Sequence, residues 1–146
     1  MSDRSDRGDD ETVGDAELLL RRLLPDWIER DGAGGVRPKS LAFIDRRSGQ
    51  LSVHRQELTT KDFVLRHHPT HGIAAFPAGG ARAEGFEVIA DPIANDPSTE
   101  DDPSHALVVP PSGMNPSRVK TAARKLALRA DTLVIRDATT NDEESE

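Results

Sequence analysis

Residues Gly72–Pro111 read GIAAFPAGGARAEGFEVIADPIANDPSTEDDPSHALVVPP, and this stretch gives the clearest indication of the fold of the chain. Three short apolar runs lie within it, at Ile73–Phe76, Phe86–Ala90 and Ala106–Val109. Each run is rich in β-branched or aromatic residues and is bounded by Gly, Pro or Asp, a pattern typical of buried strands. We therefore predict three strands of one sheet here.

The segments that connect these strands differ in character. Pro77 precedes Ala78–Ala83, which favours a short helix because proline is well tolerated at the first helical position. Asp91–Pro103 is an acidic loop rich in Pro and Ser, and loops of this length without regular structure are usually functional or mobile.

The chain before this stretch predicts a helix and then a hairpin. Asp15 is a suitable N-cap for a helix over Ala16–Ile28, where the large apolar residues fall on one stripe. Ser40–Ile44 and Gln50–Arg55 are separated by a short loop that contains Gly, which is typical of a β-hairpin.

Two further helices and a last strand complete the predicted elements. Thr59 or Thr60 caps a short helix, and Asn115 or Ser117 caps a longer amphipathic one. Thr132–Ile135 is apolar enough to close the sheet as a short strand.

These elements predict an α+β fold. We expect a single domain over residues 15–136, with a mixed β-sheet of about five strands and about three packed helices. Residues 1–14 and 137–146 are acidic and too polar to offset the entropy of ordering, so we expect both tails to be disordered.

Composition excludes several classes of protein. The net charge is −7 and aromatic residues make up 3% of 146 residues, which makes nucleic-acid binding unlikely because phosphate repels the overall charge and no stacking platform is available. The absence of Cys excludes disulfides and thiolate chemistry. No apolar run is long enough to cross a bilayer, so we expect a soluble cytoplasmic protein without a membrane. The acidic surface and the preference for Arg over Lys favour a prokaryotic, halophilic source.

His105 and His54 are the candidate catalytic residues. His105 ends the acidic loop and begins an apolar strand, where a nearby carboxylate would fix its tautomer for general base catalysis. His54 lies within a predicted strand and shares a face with Ser52, so the three side chains converge if the two strands are neighbours. The alternative is a purely structural His bonded to the backbone.

A second group of histidines, His67, His68 and His71, lies in a turn. Imidazoles at this spacing can bind zinc or nickel, but the turn has no second pair of ligands, so solvated side chains are the favoured interpretation. We therefore assign no metal and no cofactor.

Two basic features suggest binding. Gly79, Gly80 and Arg82 could form an anion-binding nest at a helix start, although a tight turn explains the glycines equally well. On the last helix Arg118, Arg124 and Lys125 form part of a basic face, which either contacts a protein partner or is simply solvated.

The segments RPKSLAF (Arg37–Phe43), LSVHR (Leu51–Arg55), Gly72–Gly85 and DPSHALVV (Asp102–Val109) resemble a family of small prokaryotic proteins of unknown function. The resemblance covers about residues 18–135. It implies a compact domain in which the His of DPSHALVV recurs, and it implies no catalytic assignment.

We therefore expect a small intracellular accessory or binding module with a possible protein partner. The alternative is a small His-dependent enzyme, with or without a metal, that acts on a phosphate-bearing substrate.

Overall fold

The computed structural model describes residues 9–30, 36–44, 49–68, 70–111 and 113–134. Its strands are β1 (Leu18–Leu23), β2 (Ile28–Arg30), β3 (Val36–Pro38), β4 (Leu51–Arg55), β5 (Gly72–Pro77), β6 (Glu87–Ala90), β7 (His105–Val109) and β8 (Asp131–Val134). Its α-helices are α1 (Lys61–Val64), α2 (Ala78–Ala83) and α3 (Pro116–Arg129), and 3-10 turns lie at Pro25–Trp27, Ser40–Phe43 and Gln56–Leu58.

Six of these strands form one sheet in the order β6-β7-β4-β1-β5-β8, and β2 and β3 form a separate two-stranded ribbon. The α+β class is confirmed. The described strands pair antiparallel throughout, rather than in the mixed sheet expected from the sequence. Parallel neighbours need a long crossover, and the short α2 instead links β5 to β6, which are not adjacent in the sheet.

One face of the sheet carries the main core. Leu19, Val53 and Phe76 are fully buried on this face, where α2, α3 and the 3-10 turn Ser40–Phe43 cover them. The rings of Phe43 and Phe76 meet edge to face with centroids 5.7 Å apart.

Helix α3 forms where the sequence predicts it. The Asn115 side chain accepts a hydrogen bond from the Arg118 backbone N–H at 2.9 Å, and Pro116 occupies the first turn. Its apolar stripe, which includes Ala123 and Leu126, is buried against the core. Thr60 likewise caps α1, through a 3.1 Å bond from the Phe63 N–H.

The other face is only partly covered. Leu20, Ile73 and Ala75 pack with Val64 and Leu65, at the end of α1, into a second and smaller apolar cluster. Beside this cluster the same face carries polar side chains from β1, β4 and β7, and this polar region holds the candidate site.

The helix predicted over Ala16–Ile28 is wrong. Leu18–Leu23 is the central strand β1, and Ile28–Arg30 is β2. Leu19, Leu20 and Leu23 are all buried because both faces of β1 are covered, so the strand lacks the alternation of a half-exposed strand.

The hairpin of Ser40–Ile44 with Gln50–Arg55 is also wrong. Ser40–Phe43 is a 3-10 turn whose Ala42 and Phe43 are buried, and β4 pairs with β1 and β7 instead. A four-residue apolar run has no periodicity that separates a strand from a buried turn. The intervening residues 45–48 lie outside the described residues.

The acidic N-terminal tail is ordered further than expected. We call Asp9–Gly14 the N-terminal strap. Asp10 N–H donates to the Val88 carbonyl at 2.9 Å, and Val13 is fully buried in the main core. The strap is held because its backbone and carboxylates meet the unpaired edge of β6. Residues 1–8 and the predicted tail 137–146 lie outside the described residues, as does Ile135 of the predicted last strand.

Candidate active site

The pairing of β4 with β7 places His54 directly opposite His105. Their rings lie edge to face, with centroids 6.3 Å apart, on the partly covered face of the sheet. The predicted convergence of the two histidines is therefore present. Ser52 lies on the same face of β4, but the hydroxyl that reaches His54 belongs to Ser104.

His54 forms a dyad with a buried carboxylate. Its Nδ1 lies 3.0 Å from Asp102 Oδ2 and 3.3 Å from Ser104 Oγ. The other carboxylate oxygen of Asp102 accepts from the Ser104 N–H at 3.0 Å and from the Ser104 hydroxyl at 2.5 Å. Because the hydroxyl donates to Asp102, its oxygen is an acceptor toward His54.

The backbone holds this carboxylate in place. Asp102 and Ile93 exchange two backbone hydrogen bonds, at 2.8 and 3.0 Å, across an isolated antiparallel bridge. Asp102 and Ser104 are both buried. The acidic loop is thus closed on itself before it enters β7, and the orientation of the Asp102 carboxylate is fixed.

His105 forms a second dyad with the other end of the same loop. Its Nδ1 lies 3.1 Å from Asp91 Oδ2 and 3.0 Å from the Asp91 carbonyl oxygen. In return the Asp91 N–H donates to the His105 carbonyl at 2.9 Å. Both partners of this Nδ1 are acceptors, so we assign the proton to Nδ1.

The same assignment applies to both rings. In each neutral imidazole Nδ1 donates to a carboxylate and Nε2 is left as the basic nitrogen. The two imidazole side chains are 13% and 14% exposed, while the Asp102 carboxylate is buried and that of Asp91 is partly exposed.

The surroundings keep His54 uncharged. Burial lowers the pKa of His54, Asp102 opposes this shift, and the nearby His105 and Arg22 add to the lowering. The lowered pKa favours the unprotonated form of His54, which is the form that a general base requires. Ser104 is an unsuitable nucleophile because its hydroxyl is already committed to Asp102.

The other histidines are arranged differently. His68 and His71 stack at a centroid distance of 4.6 Å, and His67 Nε2 lies 2.9 Å from Glu100 Oε1. Within the described ranges no three His, Asp or Glu side chains are grouped closely enough to hold a metal ion.

The predicted anion site at Gly79, Gly80 and Arg82 is occupied by the chain itself. The Arg82 guanidinium contacts the carboxylates of Asp9 and Asp15 at 2.9 and 2.7 Å. The Gly79 N–H donates to the Asp15 carbonyl at 2.9 Å. A Cβ at Gly79 would lie 3.0 Å from that of Asp15, so the glycine permits the close approach of Asp15, which follows the strap. This group lies around α2, on the face opposite His54 and His105.

The basic face of α3 is exposed as expected. Arg118 and Lys125 line a groove of about 340 Å³ with Glu84, and Arg124 lines a second, of about 670 Å³. Leu128, which is 71% exposed, also lines the second groove. Neither groove includes a residue of the two dyads.

Two functional candidates were not predicted from the sequence. The pairing of Asp102 with His54 depends on a long-range contact, although the order Asp-Pro-Ser is a recognisable signal for an Asp side chain that bonds a backbone two residues on. Arg22, in the middle of β1, had no recognisable signal because the segment was interpreted as an exposed helix face.

No described helix is long and apolar enough to span a membrane. Comparisons with protein-family models, with curated proteins and with solved structures return no match. The resemblance to a small prokaryotic family therefore stays a prediction.

Proposed function

We propose that this protein is a small enzyme that uses His54 and His105 as an acid–base pair on a phosphate-bearing substrate. The observation that supports the proposal is the pair of Asp–His dyads, which stand side by side on adjacent strands with both Nδ1 atoms committed to carboxylates. Two such imidazoles can transfer protons at both ends of one displacement without a metal.

We assign the role of base to His54 because burial lowers its pKa, and the role of acid then falls to His105. The neutral His54 removes the proton from the attacking hydroxyl as a new phosphorus–oxygen bond forms. A protonated His105 gives its Nε2 proton to the oxygen that leaves as the old phosphorus–oxygen bond breaks. Asp102 and Asp91 are positioning residues, because each fixes the tautomer and the ring orientation of its histidine.

A phosphate-bearing substrate is favoured by the charge around the pair. Arg22 is close enough to His54 to lower its pKa. A guanidinium beside two imidazoles complements an oxyanion in the ground state and in the transition state.

The test is turnover of chromogenic nitrophenyl phosphomonoesters and phosphodiesters by wild type, His54→Gln and His105→Gln. General acid–base groups contribute roughly 10²–10⁴-fold each, so either substitution should reduce kcat by about that factor. His67→Gln is the matched control because His67 is exposed and contacts Glu100 instead. The wild-type rate should depend on pH with a bell shape. Full activity in both dyad variants, or an inactive wild type across all these esters, would refute the proposal.

A second candidate function is the binding of a protein partner by α3. Leu41 and Leu128 are 45% and 71% exposed, and they line the larger groove with Arg124 and Lys39. Arg37 and Glu29 also line this groove and form an ion pair with each other. Exposed leucines among cations favour an acidic, amphipathic segment. A synthetic Glu- and Leu-rich peptide should shift the amide resonances around Arg124, and Leu128→Lys should remove the effect. Shifts elsewhere on the surface alone would argue against this candidate.

A further inference from the structure

Arg22 is a half-buried cation whose hydrogen bonding is incomplete. It lies on β1 opposite Ile73, on the same face of the sheet as the two dyads. Its Nε is buried and has no hydrogen-bond partner, and the same is true of His71 Nδ1. A buried polar group without a partner is costly and rare in folded proteins, so two in one place call for an explanation.

The charges around Arg22 do not stabilise it. Burial lowers the pKa of Arg22, and the neighbouring Arg66 lowers it further. Arg22 in turn contributes to the lowered pKa of His68 and of His71, where burial is again the main cause. These groups therefore form a cluster of like charge, which repels itself when protonated.

The carboxylates near this cluster contact other residues instead of Arg22. Glu100 contacts Arg66 at 2.6 Å and His67 at 2.9 Å, and Asp102 is bound to His54 and Ser104. Among the described residues no carboxylate forms an ion pair with Arg22. An apolar side chain of similar size would stabilise this position better than an unpaired guanidinium does.

A bound anion supplies the negative charge and the hydrogen-bond acceptors that this cluster lacks. Phosphate carries two negative charges and several acceptor oxygens, which match the planar donors of a guanidinium and the N–H donor that each imidazole carries. The distance to the dyads is also suitable. Leu20 pairs with His54, and Arg22 is two residues further along β1 on the same face. Such diagonal neighbours lie about 7–8 Å apart at the backbone, within reach of long side chains.

We propose that Arg22, together with His68 and His71, forms a phosphate-binding site beside His54. The site is an inference about ligand binding in its own right. Its role as the subsite that holds the phosphate of the substrate rests on the proposed function.

The direct test is the binding of inorganic phosphate, followed by calorimetry and by thermal unfolding at constant ionic strength. Phosphate should bind wild type and raise its melting temperature, because a ligand that binds only the folded state stabilises it. Arg22→Gln should weaken binding roughly tenfold or more, since hydrogen bonds to charged groups are the strong ones. His71→Gln should weaken it less. Equal ionic strength of chloride should have no effect, and sulfate should separate a general preference for divalent oxyanions from one for phosphate.

Two control variants keep the result interpretable. Lys120→Gln removes an exposed cation of α3 and should bind phosphate like wild type. Arg22→Met removes the unpaired guanidinium, so in the absence of phosphate it should melt at or above the wild-type temperature. A clear fall in its melting temperature would identify Arg22 as a structural residue and would overturn the proposal. Unchanged phosphate affinity in Arg22→Gln, or no binding to wild type at millimolar concentration, would also overturn it.

This site and the proposed reaction fail in different ways. Phosphate binding that depends on Arg22, without turnover of any ester, would refute the reaction and leave the site standing. Turnover that depends on His54 and His105, with an unchanged KM in Arg22→Gln, would refute the site and leave the reaction standing.

Discussion

Substitution of Asp102 by Ala is expected to be the most costly change at the candidate active site. The substitution removes a buried carboxylate that accepts from two groups of Ser104 and lies 3.0 Å from His54 Nδ1. All three donors are then left without this acceptor in a mostly buried setting. At an exposed site, water would replace the lost acceptor for these donors, but water has little access to this buried position.

The magnitude follows from the number of lost contacts. A hydrogen bond to a charged group contributes about 1.5–3 kcal/mol, and part of the gain from three bonds is offset by the cost of burying the carboxylate. Removal of one member of a buried, hydrogen-bonded pair typically costs about 3–5 kcal/mol. We therefore expect Asp102→Ala to lower the free energy of unfolding by about 3–4 kcal/mol. Asp102→Asn keeps one acceptor oxygen and should cost about half as much.

Urea unfolding measures this loss directly. Trp27 is the single tryptophan and lies half-buried beside the main core, so its fluorescence reports the transition. With a slope of about 2 kcal/mol per molar urea, the midpoint should fall by about 1.5–2 M. Asp101→Asn is the matched control, because Asp101 is exposed and its Oδ1 acceptor toward the Asn95 N–H is retained. The control should shift the free energy by less than about 0.5 kcal/mol.

The reasoning is refuted if Asp102→Ala and Asp101→Asn unfold at the same urea concentration. That outcome would mean that the Asp102 carboxylate is solvated and does not hold His54. A loss of stability without any change in the ¹⁵N shifts of the His54 ring would also contradict the dyad, because the tautomer of His54 depends on this acceptor.

Two further predictions concern pH and the strap. Burial lowers the pKa of His54, His68 and His71, so the unfolded chain binds more protons than the native state from about pH 6.5 downward. Stability should therefore be full above that pH and decline below it, and the decline should be smaller in His54→Gln. Identical urea midpoints for wild type at pH 7.5 and pH 5.5 would contradict this prediction. Arg82→Met should cost about 1–2 kcal/mol, since the guanidinium donates to two carboxylates and to the Asp10 carbonyl; the figure is discounted because both carboxylates, Asp9 and Asp15, are exposed. Calorimetry should show a lower melting temperature than for Arg124→Met, and equal melting temperatures would show that the strap is held in another way.

The strands around the candidate site were predictable because their boundaries are chemically marked. Pro, Gly and Asp bracket β5, β6 and β7, and the structure confirms all three. Helices α2 and α3 were predictable for a similar reason, since Pro77 and Asn115 mark their starts. Local rules were sufficient wherever a turn residue stands next to an apolar run.

The first strand was not predictable because its pattern is ambiguous. Leu18–Leu23 has apolar residues on both faces and two arginines in the middle, which satisfies a helical stripe as well as a central strand. Only tertiary contacts resolve the ambiguity. Arg21, for example, donates to the carbonyls of Ala42 and Ser52 at 3.0 and 2.9 Å, which requires the neighbouring β4.

Only part of the candidate site could be predicted from the sequence. His54 and His105 were singled out by residue type and by their positions in apolar strands, and their convergence needed only that β4 and β7 be neighbours. The sequence predicted a carboxylate near His105, but not which aspartate pairs with which histidine, because that depends on how the acidic loop closes between Ile93 and Asp102. Arg22 could not be assigned without knowing which face of β1 meets His54.

The strap has a consequence for how copies of this protein behave in solution. Strand β6 is at one border of the sheet, and the carboxylates of Asp9 and Asp10 accept from its Val88 and Ala90 N–H groups at 2.9 and 3.1 Å. These acids occupy the donors that another chain would use to extend the sheet. Proteolytic clipping after Asp10 would detach them, so a nicked sample should self-associate through β6 even though its core is intact.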